Sequence, residues 1–154
     1  MMLLYHGSNI PIDQVDLNKS RPNKDFGKAF YLSDTPEQAS DMAHFKVMTE
    51  GGEENISTFT FEDNGLLHIK RFDSYTEEWA EFVYNNRDER QDYHHSYDIV
   101  YGPIANDTVG VQIRDLRERK ISMERFLENL KYHKGITFQY AFCTPQAIST
   151  LIKI

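Results

Sequence analysis

One cysteine, Cys143, occurs in 154 residues. A single thiol excludes an intramolecular disulfide and a cysteine-cluster metal site. It also fits a reducing cytoplasm. Cys143 follows the apolar run Tyr140-Ala141-Phe142 and reads as a small buried hydrophobe rather than a nucleophile. Long apolar runs are absent, and none approaches the ~20 residues that span a bilayer. The N-terminus lacks a basic segment followed by a small-residue cleavage site, so no signal peptide is expected. Glycine-rich phosphate loops are missing as well: there is neither GxGxxG nor GxxxxGK followed by Ser or Thr. Positive charge is scarce. Seventeen Lys and Arg against 24 Asp and Glu leave a net charge of -7, which opposes broad contact with a nucleic-acid backbone. Basic residues do cluster between Arg114 and Lys120, but acids interleave with them and the run reads as a solvated helix face.

The elements that remain follow no βαβ rhythm. Residues 2–6 read as a strand, and residues 8–27 as a long polar loop broken by Pro11, Pro22 and Gly27. A second strand covers 28–33. A helix follows over 36–48, with Thr35 as N-cap, Pro36 in its first turn and Gly51-Gly52 beyond its end. Residues 56–61 alternate as a strand. Asn64-Gly65 signals a tight turn that makes 66–72 its hairpin partner. A helix over 76–87 places Trp79, Phe82 and Val83 on one face. A strand over 97–101 ends at Gly102-Pro103. Helices over 108–119 and 122–132, a strand over 137–143 and a last helix from Pro145 to about 151 complete the order. Without repeat or linker, this predicts one α+β domain, residues 1–154, with a strongly bent or split sheet.

Two short segments carry the chemistry. The first is Tyr5-His6-Gly7-Ser8, a strand end whose glycine lets a flat ligand approach the backbone. The second is Asp25-Phe26-Gly27-Lys28-Ala29-Phe30-Tyr31, in which Tyr31 is able to stack on a planar ring. Each alone has an ordinary structural reading: a strand-end histidine, a core aromatic. Asn86-Arg87 reads either as a helix end with a favourable cation or as a phosphate or target contact. Asn106-Asp107 reads as a turn or helix cap. His94-His95, with Asp92 and Asp98 nearby, invites a metal, yet adjacent histidines on an extended segment point apart. No metal is expected.

Read together, the two segments resemble the first and second motifs of ADP-ribosyltransferases of the diphtheria-toxin and poly(ADP-ribose)-polymerase type. Ala29 replaces the middle glycine of that family's Gly-Lys-Gly. The whole chain is similar to a bacterial family within that superfamily. The shared pattern includes Glu37-Gln38-Ala39, Glu78-Trp79, Asn86-Arg87, the stretch Tyr97 to Asp107, and Gln139-Tyr140. The resemblance implies a split-sheet ADP-ribosyltransferase-like fold and NAD⁺ as co-substrate. It implies catalytic roles for His6, Tyr31 and Gln139. It places NAD⁺ against His6, Gly7, Ser8, Gly27, Lys28, Tyr31, Gln38 and Asn86, with Arg21, Lys24 or Lys28 at the diphosphate. Gln139 stands where the superfamily usually has Glu; Asp107 is the nearest substitute carboxylate. Gln keeps an acceptor oxygen but carries no charge, and charge beside a developing cation is a large catalytic term.

The expected activity is therefore metal-free transfer of ADP-ribose to a macromolecular acceptor, protein or nucleic acid. Attack would come from the side of residues 133–139, and nicotinamide would leave. A cytoplasmic toxin or effector with a cognate antitoxin is one implication of the resemblance. The alternatives are a weak NAD⁺- or ADP-ribose-binding module, an NAD⁺ glycohydrolase, and an RNA 2′-phosphotransferase-like enzyme. The acidic composition counts against the last.

Overall fold

A computed structural model describes residues 1–131 and 136–154, except the side chain of Asp107. It is an α+β structure with two open sheets. The first sheet joins β1 (Met2–Ser8), β3 (Asn55–Phe61) and β7 (Leu151–Lys153) in the order β1-β3-β7, all antiparallel. The second joins β2 (Phe30–Leu32), β6 (Phe138–Phe142), β5 (Ile99–Pro103) and β4 (Ile69–Arg71) in the order β2-β6-β5-β4. Its β4-β5 pair is parallel, so this sheet is mixed. One bridge links the sheets: Tyr5 and Ser33 exchange backbone hydrogen bonds of 2.8 Å in both directions.

The second sheet is covered on both faces, and side-chain alternation decides which residue goes where. Leu32, Ile99, Tyr140 and Phe142 face the first sheet, meeting Leu4, Phe59 and Phe61. Phe61 and Phe142 meet edge to face, 5.2 Å between centroids. Val100, Ala141 and Tyr31 face the helices instead. There α2 (Glu77–Arg87), α3 (Asp107–Arg117) and α4 (Met123–Leu130) bury Trp79, Val83, Val109, Ile113 and Phe126. Side chains of Thr76, Asn106 and Ser122 accept from the backbone N–H three residues on, which starts each helix where the polar residue stands. Helix α1 (Pro36–Glu50) lies on the first sheet with Ala39 and Ala43 inward, and stops at Gly51, whose φ is 80°. Thr35 sits at its N-cap without capping; its hydroxyl is instead 3.2 Å from that of Ser33.

Three expectations are corrected. Residues 66–72 do not return along β3. The turn at Asn64-Gly65 exists, fastened by Asp63 and Asn64 side chains. Both edges of β3 are already taken, by β1 and β7, so the chain crosses to the second sheet and pairs with β5. The strand expected to stop before Gly102-Pro103 runs through them, because both still pair with β6. The final helix, α5 (Pro145–Ile148), is a single turn, after which β7 takes the edge of β3. The C-terminal end of the helix expected over 122–132 lies partly outside the described residues.

Candidate functional site

The loop between β1 and β2 folds back on itself before entering the second sheet. Ser20 Oγ donates to Ala29 O at 2.7 Å and accepts from Ala29 N at 3.1 Å, closing residues 20–29 into a compact turn. Between them Gly27 turns at φ +86°, a conformation that strains any side chain. Tyr31 Oη reaches up from β2 to donate to Gly27 O at 2.6 Å and accept from Phe26 N at 3.1 Å. Burial keeps this phenol neutral by raising its pKa, and Asp25 adds to the effect.

Asp25 is the centre of the polar cluster. Its side chain is one-tenth exposed. Oδ1 accepts from Arg87 Nε at 2.7 Å. Oδ2 accepts from Ala105 N at 2.9 Å and Gln139 Nε2 at 3.3 Å. Arg87 also donates to Ala105 O at 3.2 Å. One carboxylate thus joins the loop, the end of α2, the segment before α3, and β6. Gln139 is held as an amide by this arrangement. Its Nε2 is committed to Asp25, which fixes the orientation of Oε1, an acceptor.

His6 lies on the other side of β2. Its ring stacks on Phe30 at 4.3 Å, and Nδ1 is 2.6 Å from Tyr31 O. A carbonyl only accepts, so Nδ1 carries the proton and Nε2 keeps its lone pair. Burial lowers the His6 pKa from 6.5 to about 4, against the opposing pull of the Tyr31 carbonyl; Lys46 and Lys24 lower it further. An unfolded chain takes up this proton as pH falls below 6.5, whereas the folded protein resists until about 4. Stability is therefore lost across that window, by an amount approaching about 3 kcal/mol at its acid end. Urea titrations at pH 7 and 4.5 should show a smaller acid loss in His6→Gln than in the native protein; equal losses would assign the effect elsewhere.

The remaining expected residues divide by place. Lys24 lies 5.3 Å above the Tyr31 ring, its pKa lowered by burial and by Lys46. Lys28 is exposed. Ser8 is buried, its hydroxyl 3.4 Å from Ile10 N. Gln38 donates to Phe138 O at 2.9 Å, tying α1 to the strand of Gln139. Two residues serve the scaffold. Asn86 is buried and donates to Phe82 O at 2.8 Å, with its oxygen beneath the Gly27 turn. The space beside Gly7 is filled by the backbone of α1 rather than open to a ligand. Arg21 is drawn away to Glu50 at 2.9 Å. Asp107 opens α3, but its side chain, like Gly135 and residues 133–135 of the expected attack side, lies outside the described residues.

Asp25 stands in the second motif with no role implied for it; its position just before a Gly turn is the signal in the sequence. His95 lies in a polar stretch of sequence, yet its Nε2 is 2.8 Å from Phe26 O and its Nδ1 accepts from Tyr97 N at 3.1 Å. The neighbouring His94 instead meets Asp92 at 2.7 Å, so the two histidines do point apart. Among the described residues no group of three His, Cys, Asp or Glu could hold a metal. Cys143 is partly buried, and burial pushes its thiol up to about 12, far from a nucleophile's range. No helix among the described residues is long and apolar enough to cross a membrane.

Fold and cluster together define an α+β protein in which a buried carboxylate ties a folded-back loop to the helices and the central strand of the mixed sheet. Residues 2–152 match the family described as "Protein of unknown function (DUF3990)", and the chain belongs to that family. No curated protein and no solved structure gives a match.

Proposed function

We propose that this protein is an NAD⁺-dependent ADP-ribosyltransferase whose third signature residue is a working glutamine. The observation that carries the reading is that His6, Tyr31 and Gln139 stand on linked strands, β1 joined to β2 at the bridge between Tyr5 and Ser33 and β2 paired with β6, with Tyr31 and Gln139 on one face. His6 Nδ1 is 2.6 Å from Tyr31 O. Tyr31 pairs with Ala141, two residues from Gln139 on the same strand face. The split between the two sheets, bridged at Tyr5 and Ser33 beside these residues, supports the split-sheet fold that the motifs imply.

In this reading His6 Nε2 accepts from a ribose hydroxyl. Tyr31 offers a ring to nicotinamide once Lys24 moves aside toward the diphosphate. Gln139 Oε1 accepts from the nicotinamide ribose, its amide oriented by Asp25. The C–N bond to nicotinamide breaks, nicotinamide leaves with the bonding pair, and the cationic sugar carbon is captured by a hydroxyl, amine or phosphate oxygen of the acceptor, which then loses its proton to solvent. Neutral phenol and neutral imidazole suit a site that must not repel a developing cation.

Nicotinamide release from NAD⁺ tests this, with His6→Ala and Gln139→Ala beside the native protein and cell lysate as acceptor. Release abolished by both substitutions supports the reading; no release, with NAD⁺ also failing to raise the melting temperature, overturns it. Gln139→Glu sharpens the test. A carboxylate there would face Asp25 at the 3.3 Å now spanned by an amide hydrogen bond. Like charges so placed repel. This variant should lose about 1–3 kcal/mol at neutral pH and turn over more slowly, not faster. A gain of NAD⁺ cleavage would instead mark Gln139 as a degenerate glutamate.

A further inference from the structure

A cleft lies beside Arg87, between the end of α2 and the first turns of α3. It is an open depression of about 400 Å³ lined by Arg87, Ala105, Asn106, Gly110, Val111 and Arg114. That volume is in the range of small-ligand sites. Its floor of Ala105, Gly110 and Val111 is apolar. Two guanidinium groups border it: that of Arg87 is paired with Asp25, and that of Arg114 has no carboxylate bonded to it among the described residues. Arg87 is held rigid by Asp25 and Ala105 O. Gly110 leaves the room that Arg87 needs, since a Cβ there would sit 3.0 Å from its terminal nitrogen. Arg114 is exposed and, among the described residues, its side chain makes no hydrogen bond or ion pair; the Glu118 carboxylate feels it only through long-range attraction. Arg117, one turn on, is already committed to Arg87 O at 3.1 Å.

In a chain with a net charge of -7, Arg114 brings one uncompensated positive charge to a cleft whose other guanidinium, Arg87, is held in place by Asp25. We propose that the cleft binds the phosphate group of a small organic phosphate, with Arg114 closing on the phosphate and the apolar floor taking the carbon skeleton. Guanidinium groups grip phosphate through paired charge-assisted hydrogen bonds. The cleft's size and the acidic remainder of the surface favour a single small ligand over a nucleic-acid strand. This site is independent of the NAD⁺ reading and does not stand or fall with it.

Calorimetric titration of the native protein with ribose 5-phosphate, inorganic phosphate and ribose tests the proposal, without NAD⁺. Ribose 5-phosphate should bind more tightly than phosphate, and ribose not at all. Arg114→Gln should weaken binding about tenfold or more while leaving the melting temperature unchanged, because Arg114 is exposed. Lys153→Gln removes the same charge from β7 in the other sheet and should leave binding intact. Equal loss in both variants, or no binding at millimolar phosphate, overturns the proposal. So does an RNA oligonucleotide that binds far more tightly with a steep salt dependence.

Discussion

Replacing Asp25 by Ala should unfold much of this protein's margin of stability. The carboxylate is buried and bonded to Arg87, Ala105 N and Gln139. Its removal leaves a guanidinium that is about three-quarters covered without its counter-charge, and a backbone N–H without an acceptor. Removing one partner of a buried pair costs about 3–5 kcal/mol, because the other charge stays desolvated. For a chain of this length that is a fall of roughly 10 °C in Tm. Asp25→Asn should cost less, since its oxygen is still able to accept from Ala105 N. Thermal unfolding followed by circular dichroism measures both. A drop of under about 1 kcal/mol in Asp25→Ala would mean that Arg87 finds water as easily as it finds Asp25. The same variant should lose any NAD⁺ cleavage, because Gln139 would no longer have its amide fixed.

Gly7→Ala should be as damaging for a different reason. A Cβ at Gly7 would overlap the carbonyl oxygen of Ala39 and come within 2.9 Å of Ala43 N. These are backbone atoms of α1 and do not swing aside as a side-chain tip would. Either α1 shifts off the first sheet or β1 bends, and both separate Ala39 and Ala43 from their packing. Overpacking in a well-filled core costs about 1–3 kcal/mol where side chains relax; against a helix backbone the cost should lie above that range, and the variant should be poorly folded at 37 °C. Gly65→Ala is the control. Its φ is 75°, in the left-handed region where Gly7 is not, yet nothing lies within 4 Å of its added methyl, so only the strain of its backbone is felt. A loss in Gly7→Ala no larger than that in Gly65→Ala would show that α1 gives way to the added methyl and that close approach is not why glycine stands at position 7.

These two residues show how far the sequence alone could be read. The glycine after His6 was legible as a place of close approach, but what approaches it was not. Ligand and helix backbone make the same demand on a side chain, and only the docking of α1 through Ala39 and Ala43 chose between them. Asp25 was legible as part of a motif. Its partners lie at positions 87, 105 and 139, and no local spacing records contacts that distant in sequence.

The sequence by itself determined the α+β class, most helix starts and the strands with alternating or continuous apolar patterns, because caps, prolines and periodicity act within a few residues. It also determined that a single thiol leaves no intramolecular disulfide. Tertiary structure decided which strands pair. Residues 69–71 join β5 and not β3 because β7 closes the edge of β3, and edge occupancy is a property of the assembled sheet. It also decided the character of the site. Gln139 reads in the sequence as a lost carboxylate; in the fold it sits 3.3 Å from a carboxylate supplied by the loop at Asp25. A second charge there would go unneutralised, so the amide is what this environment accepts.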